Sequence, residues 1–187
     1  MLISDSYRHL NTDLHSGGNY GRHGDKWADK VVRLAAQYHA GSVLDYGCGQ
    51  GSLARALDLD VREYDPAIAG KSARPDPADL VVCTDVLEHI EPDCLDDVLT
   101  HLCGLARTTC FVVVATRPAK KVLADGRNAH LIVESDDFWR ARFASRFKIV
   151  SWEPLVEEFA AVLEPLRGWP AISARAGALL RRLPNGI

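Results

Sequence analysis

Val43-Leu44-Asp45-Tyr46-Gly47-Cys48-Gly49-Gln50-Gly51-Ser52 is the stretch on which the reading of this chain turns. An apolar run enters Asp45, three glycines follow at alternate positions, and the apolar-periodic Leu53-Ala54-Arg55-Ala56-Leu57 comes next. That order describes a strand, a tight turn and the start of a helix. Glycine takes positive φ without steric cost and lets a ligand approach the backbone, and the N–H groups opening the helix make a polar cradle. A dinucleotide fingerprint needs G-x-G-x-x-G, whereas Ser52 follows Gly51 here, so the third glycine arrives one residue early. Pyrophosphate is therefore disfavoured, and with it a nicotinamide-dependent oxidoreductase.

Upstream, Trp27, Val31, Leu34, Ala35 and Tyr38 recur at helical spacing, with Asp25 placed as N-cap and Gly41 as the stop. Downstream, Val61–Asp65 reads as a second strand, and its last residue lies 20 positions after Asp45. At that separation a second-strand acid meets a ribose in doubly wound nucleotide sites. Glu63 faces the same way and is the competing acid. The segment from Ala67 to Ala78 is short and rich in proline and glycine, so the usual third strand and its helix are expected to be reduced or missing.

Leu80–Thr84 is the next apolar strand, and Leu95, Val98, Leu99, Leu102 and Ala106 share one helical face behind Asp96 and Asp97. Cys110–Thr116 forms another buried strand. Ser135 caps a helix that opens on Asp136 and Asp137 and carries Phe138, Trp139 and Phe143. Phe147–Trp152 and Glu158–Leu163 read as extended, though pattern alone also allows an amphipathic helix for the second. Ile172–Leu183, with Arg175, Arg181 and Arg182, reads as a tail helix. Alternating strands and helices imply an α/β, doubly wound, mostly parallel sheet, whose ligands lie beyond the strand carboxyl ends. Those ends are Asp45–Gly51, Asp65, Thr84–His89 and Thr116 onward.

At 187 residues, 47% of them hydrophobic, the chain suits one globular domain over 26–165. Residues 1–25 form an arm, a disordered tail or a lid, and 166–187 a helical tail. A net charge of −3 gives no field that gathers long nucleic acid or an anionic membrane. Five cysteines, with no C-x-x-C pair, suggest neither a disulfide framework nor a zinc knuckle and fit reduced thiols. No apolar run is long enough for a membrane span and no basic leader opens the chain, so a soluble, cytoplasmic protein is expected. Its oligomeric state is left open.

VLDYGCGQGS, the acid of REYDPAI, and LVVCTDVLEHI together resemble the class I S-adenosylmethionine-dependent methyltransferases over about residues 26–163. The resemblance implies a Rossmann-like methyltransferase fold ending in an antiparallel strand hairpin. It implies that Asp45, Gly47, Cys48, Gly49 and Gly51 hold the amino-acid end of S-adenosyl-L-methionine. Asp65 and Pro66 would serve the ribose, and Thr84, Asp85 and Val86 would lie beneath the sulfonium. The region that often supplies an adenine-contacting acid in this family is the shortened one, so no adenine pocket is assigned.

Methyl transfer from a sulfonium needs a base only where the acceptor must lose a proton, as a hydroxyl does. His89 and His130 are the candidates, both near the carboxyl edge of the sheet, with Arg127 beside them in a polar loop. Asp85, Glu88, His89 and His130 are also similar to the divalent-metal sites of small-RNA 3′-terminal 2′-O-methyltransferases. There a Glu-x-x-Glu-His and a later histidine hold Mg²⁺ against vicinal hydroxyls; in this chain a divalent metal is possible but not the favoured reading. Arg117, Lys120 and Lys121, with Asn128 and the arm residue Tyr20, are the residues expected to meet the acceptor. The expectation is O-methylation of a small or sugar-like, possibly anionic molecule. Metal-assisted methylation of RNA ends or diols, and a non-catalytic cofactor-binding partner or sensor protein, are the alternatives.

Overall fold

The computed structural model describes residues 1–16 and 24–166. Its helices are α1 (Asp5–Ser16), α2 (Ala28–Gln37), α3 (Ser52–Ala56), α4 (Leu95–Leu105) and α5 (Asp136–Ala144). Its strands are β1 (Val43–Tyr46), β2 (Val61–Tyr64), β3 (Ala78–Thr84), β4 (Ala106–Ala115), β5 (Phe147–Pro154) and β6 (Glu158–Pro165). One six-stranded sheet has the order β2-β1-β3-β4-β6-β5, parallel from β2 to β4 and antiparallel through β6 and β5. Segment 158–165 is therefore a strand and not an amphipathic helix. No strand or helix lies between β2 and β3, in line with the proline- and glycine-rich composition there.

Period-2 alternation on the central strands divides the core between two faces. Leu80 and Val82 of β3 join Val31, Leu34, Leu53 and Phe111 on the α2 side. Val81 and Cys83 join Leu99, Leu102, Trp139 and Phe143 on the α4 and α5 side. The sheet is thus covered on both faces, as near-continuous apolar strands require. Because β1 hands the chain outward to β2 and it returns as β3 on the other side, a crevice opens at their carboxyl ends. All of the described helices are too short or too polar to cross a membrane.

Strand ends shift by one to four residues from the sequence reading, and the helix boundaries differ as well. Asp25 lies inside a 3₁₀ turn, Gly24–Trp27, and α2 starts after Trp27 with no side-chain cap. The helix ends through His39, which takes φ 50° itself, leaving Gly41 to meet the Asp79 carboxylate through its N–H at 3.0 Å. Ala106 opens β4 instead of closing α4, because it is buried against the same core that the helix face covers. Ser135 does cap α5, accepting a hydrogen bond from Phe138 N. The tail helix expected over 172–183 lies outside the described residues.

Candidate functional site

The crevice is a cavity of about 650 Å³. At one end it is lined by Asp45, Gly47, Cys48, Gly49, Asp65 and Pro66, and Thr84, Asp85 and Val86 line it at the end of β3. Gly47, Gly49 and Gly51 all have left-handed backbone, at φ 77°, 50° and 73°. At two of them a side chain would also meet a neighbour. A Cβ on Gly47 would strike the Val86 side chain, and one on Gly51 would strike the Glu63 carboxylate. Gly51 supports the turn without lining the cavity.

The loop braces itself on β2: Gly47 N and Cys48 N both donate to Tyr64 O, at 2.7 and 3.1 Å. Those two amides consequently face the sheet, and the polar groups presented to the cavity are carboxylates. Asp65 is held from both sides, Gly49 N donating to Oδ2 at 3.1 Å and Ala67 N to Oδ1 at 2.9 Å. A carboxylate has about four lone-pair sites, so acceptor capacity for a diol remains. Asp45 is 4% exposed. Burial above all, then the charge of Glu63, pushes its carboxyl up to about 7, with Lys71 opposing. Lys71 Nζ sits 3.0 Å from Glu63 Oε1 and reaches Gly49 O at 3.4 Å, so the shortened connection still clamps the glycine loop. Burial, then Asp45, drives the Cys48 thiol far above its ordinary value, leaving it inert.

The opposite wall begins at Asp85, which takes φ 60° and donates its N–H to Val113 O at 3.1 Å. A 3₁₀ turn, Leu87–His89, follows. Glu88 is fully buried, its Oε1 accepting from Ala115 N at 2.9 Å and its carbonyl from Ile132 N at 3.0 Å. Burial, then the Asp85 charge, raises its carboxyl well above the ordinary range. Oε2 is buried without a hydrogen-bond partner among the described residues. His89 Nδ1 lies 2.7 Å from Ala129 O and His130 Nδ1 lies 2.6 Å from Arg117 O. A carbonyl only accepts, so both rings carry a proton on Nδ1, and in the neutral imidazole the lone pair is then on Nε2. The rings meet edge to face, centroids 4.7 Å apart. Ligating atoms of Glu88, His89 and His130 all lie within 4.8 Å of one another. Asp85, exposed, is not of that group, although its carboxyl stands close enough to Glu88 to act on it.

The third wall is α1, a helix where the sequence reading allowed a tail or a lid. Ser4 caps it through Tyr7 N at 3.2 Å, and Leu2, Ile3, Tyr7 and Asn11 line the cavity. Ser4 N and Ser4 Oγ donate to Glu91 at 2.8 and 2.7 Å, Tyr7 OH donates to His89 O at 2.7 Å, and Thr12 Oγ1 is 3.0 Å from Ala67 O. These contacts span the mouth from the end of β3 to the end of β2. Sequence reasoning missed this helix, although Ile3, Tyr7, Leu10 and Leu14 on one face around a Ser4 cap are a capped amphipathic signal.

Arg117, Lys120 and Lys121 line the cavity beside the histidines. Arg127 and Asn128 do not. Arg127 is bound to Asp125 at 2.7 Å with its guanidinium 5.4 Å from the Tyr7 ring centroid, so it ties the loop to α1. The Asn128 amide accepts from Ala119 N and His130 N and donates to Ala119 O, all within 2.9 Å, and so shapes the loop that presents His130. Tyr20 lies outside the described residues.

The sequence model of a family described as a methyltransferase domain matches residues 20–159, from the arm to the strand β6. Among curated proteins none matches the chain. In structure it is similar to 1,6-didemethyltoxoflavin-N1-methyltransferase from Burkholderia thailandensis, solved with 1,6-didemethyltoxoflavin and S-adenosylhomocysteine bound. Identity there is 14%, with TM-score 0.63, over 88% of this chain and 91% of that one. It is also similar to magnesium protoporphyrin IX methyltransferase from Synechocystis PCC 6803, solved with S-adenosylhomocysteine, at 19% identity and TM-score 0.51 over 75% and 81%. A third likeness, at 16% identity and TM-score 0.55 over 75% and 54%, is to mitomycin 7-O-methyltransferase. At such identities the likeness is one of fold.

Proposed function

We propose that this chain, which belongs to the methyltransferase-domain family and is an S-adenosylmethionine-dependent methyltransferase, methylates a hydroxyl on a small acceptor bearing a negative charge. The observation that carries the reading is the division of one cavity into two chemically different halves. Asp45 and Asp65, both buried acids, stand by the glycine turn, and the histidine pair stands across from them with Arg117, Lys120 and Lys121. Acids suit a cofactor with an ammonium and a ribose diol, whereas the basic wall suits a carboxylate or phosphate on the acceptor.

When bound, S-adenosylmethionine supplies a methyl group on a sulfonium, an electrophile that asks the protein for alignment and dryness. Asp45 would pair with the ammonium, and Asp65 would accept from the ribose hydroxyls. Thr84, Asp85 and Val86 form the strip between the halves, where the methyl group would cross. A hydroxyl must lose its proton as it attacks. The imidazole pair, whose neutral rings offer a lone pair on Nε2, is the group that acts on that hydroxyl, and α1 excludes water from above.

Radiolabelled S-adenosylmethionine incubated with a panel of hydroxylated small molecules, with and without a carboxylate or phosphate, tests the reading. Label is expected in the anionic members and is expected to fall sharply in Lys120→Ala. Absence of S-adenosylhomocysteine binding by calorimetry to the folded chain overturns it.

A further inference from the structure

We propose that Glu88, His89 and His130 form a binding site for one divalent transition-metal ion, open toward the acceptor half of the cavity. Three observations converge on these residues and do not depend on one another. First, their ligating atoms lie within 4.8 Å of one another. Bonds of about 2.1 Å allow two ligands of one metal a separation of up to about 4.2 Å, so a sub-ångström contraction suffices. Second, each imidazole donates Nδ1–H to a main-chain carbonyl, Ala129 O or Arg117 O. That is the outer bond which fixes a metal-binding histidine with its Nε2 lone pair toward the ion. Third, Glu88 anchors one carboxylate oxygen on Ala115 N and leaves Oε2 buried with no hydrogen-bond partner among the described residues.

Two nitrogens and one carboxylate oxygen favour Mn²⁺, Fe²⁺, Co²⁺ or Zn²⁺ over Mg²⁺, which prefers an all-oxygen octahedron. His89 and His130 line the cavity while Glu88 lies behind them, so the remaining coordination positions face the acceptor, next to Arg117 and Lys120. Its use in catalysis rests on the methyl-transfer reading: the ion would hold the acceptor hydroxyl and lower its pKa, and an acceptor with a second oxygen beside that hydroxyl would chelate it.

The full chain, stripped with EDTA and desalted, is titrated calorimetrically with Mn²⁺, Co²⁺, Zn²⁺ and Mg²⁺. One equivalent of a transition metal is expected, not displaced by equimolar Mg²⁺. Affinity is expected to fall at least tenfold in Glu88→Gln and in His130→Ala and to be unchanged in His9→Ala, a surface histidine. Electron spin-echo spectroscopy of Mn²⁺ on the unmutated chain is expected to detect two histidine nitrogens, a readout that holds even where a variant does not fold. No stoichiometric uptake, or bound Mn²⁺ without nitrogen coupling, overturns the site. In that case intact S-adenosylhomocysteine binding leaves the methyl-transfer reading standing, and loss of that binding removes the reading instead.

Discussion

Asp45 concentrates the electrostatics of the cofactor half in one carboxyl. Its folded value, raised to about 7 by burial and then Glu63, means that between the ordinary carboxylate value and pH 7 the folded protein holds a proton that the unfolded chain releases. Stability from this group is therefore greatest at acid pH and falls as pH rises toward 7. Binding a cationic ammonium demands the ionised form, so below pH 7 that proton must leave first. The affinity for S-adenosylhomocysteine, measured calorimetrically, is expected to rise up to about tenfold per pH unit between pH 5.5 and 7 and then level off. Asp45→Asn is expected to bind weakly at all pH values and to flatten the profile. Gly47 makes a steric counterpart. Gly47→Ala places a side chain at φ 77° against Val86, with an expected loss of about 1–3 kcal/mol in stability, read from denaturant unfolding, and of cofactor affinity. The glycine spacing and Asp65 were legible in the sequence because a turn imposes local rules. The roles of Arg127 and Asn128 were not, since a basic or amide side chain in a loop carries no mark of whether it faces a ligand or its own backbone.

Among the elements, α1 changes most between the sequence and the folded chain. Its polar composition suggested an arm, as a tail or a lid, yet it is a helix whose apolar face packs with Leu123 and Ala129 of the loop after β4, and its polar groups clasp Glu91 and His89. Helix and loop thereby make a single roof over the acceptor half. A chain lacking residues 1–16 is expected to keep the sheet, by far-ultraviolet circular dichroism, and to release S-adenosylhomocysteine at least tenfold faster in stopped-flow fluorescence. An unchanged release rate would remove α1 from the site. β5 and β6 illustrate the converse. Glu158–Leu163 reads equally as strand or helix, and pairing with β4 settles it, with Trp152 stacked on Phe159 at 4.0 Å across the hairpin.

For the whole molecule, burial accounts for the chemistry of the cysteines better than their number does. All five are buried and free. A thiol reagent is expected to label none of them quickly in the native protein and all five in denaturant, and rapid labelling of one native thiol would contradict this packing. The amino-acid sequence by itself determined the layered α/β architecture, the glycine turn and the truncated connection after β2, because these follow from periodicity, backbone freedom and chain length. It also supplied the candidate residues of the acceptor half. Only the tertiary structure decided which of them meet: Glu88, His89 and His130 come from a 3₁₀ turn and a loop some 40 residues apart, and Asp85, four residues from His89, is not one of the three whose ligating atoms gather. Contact between distant side chains depends on how β3 and the loop after β4 lie side by side, a relation that no local pattern encodes.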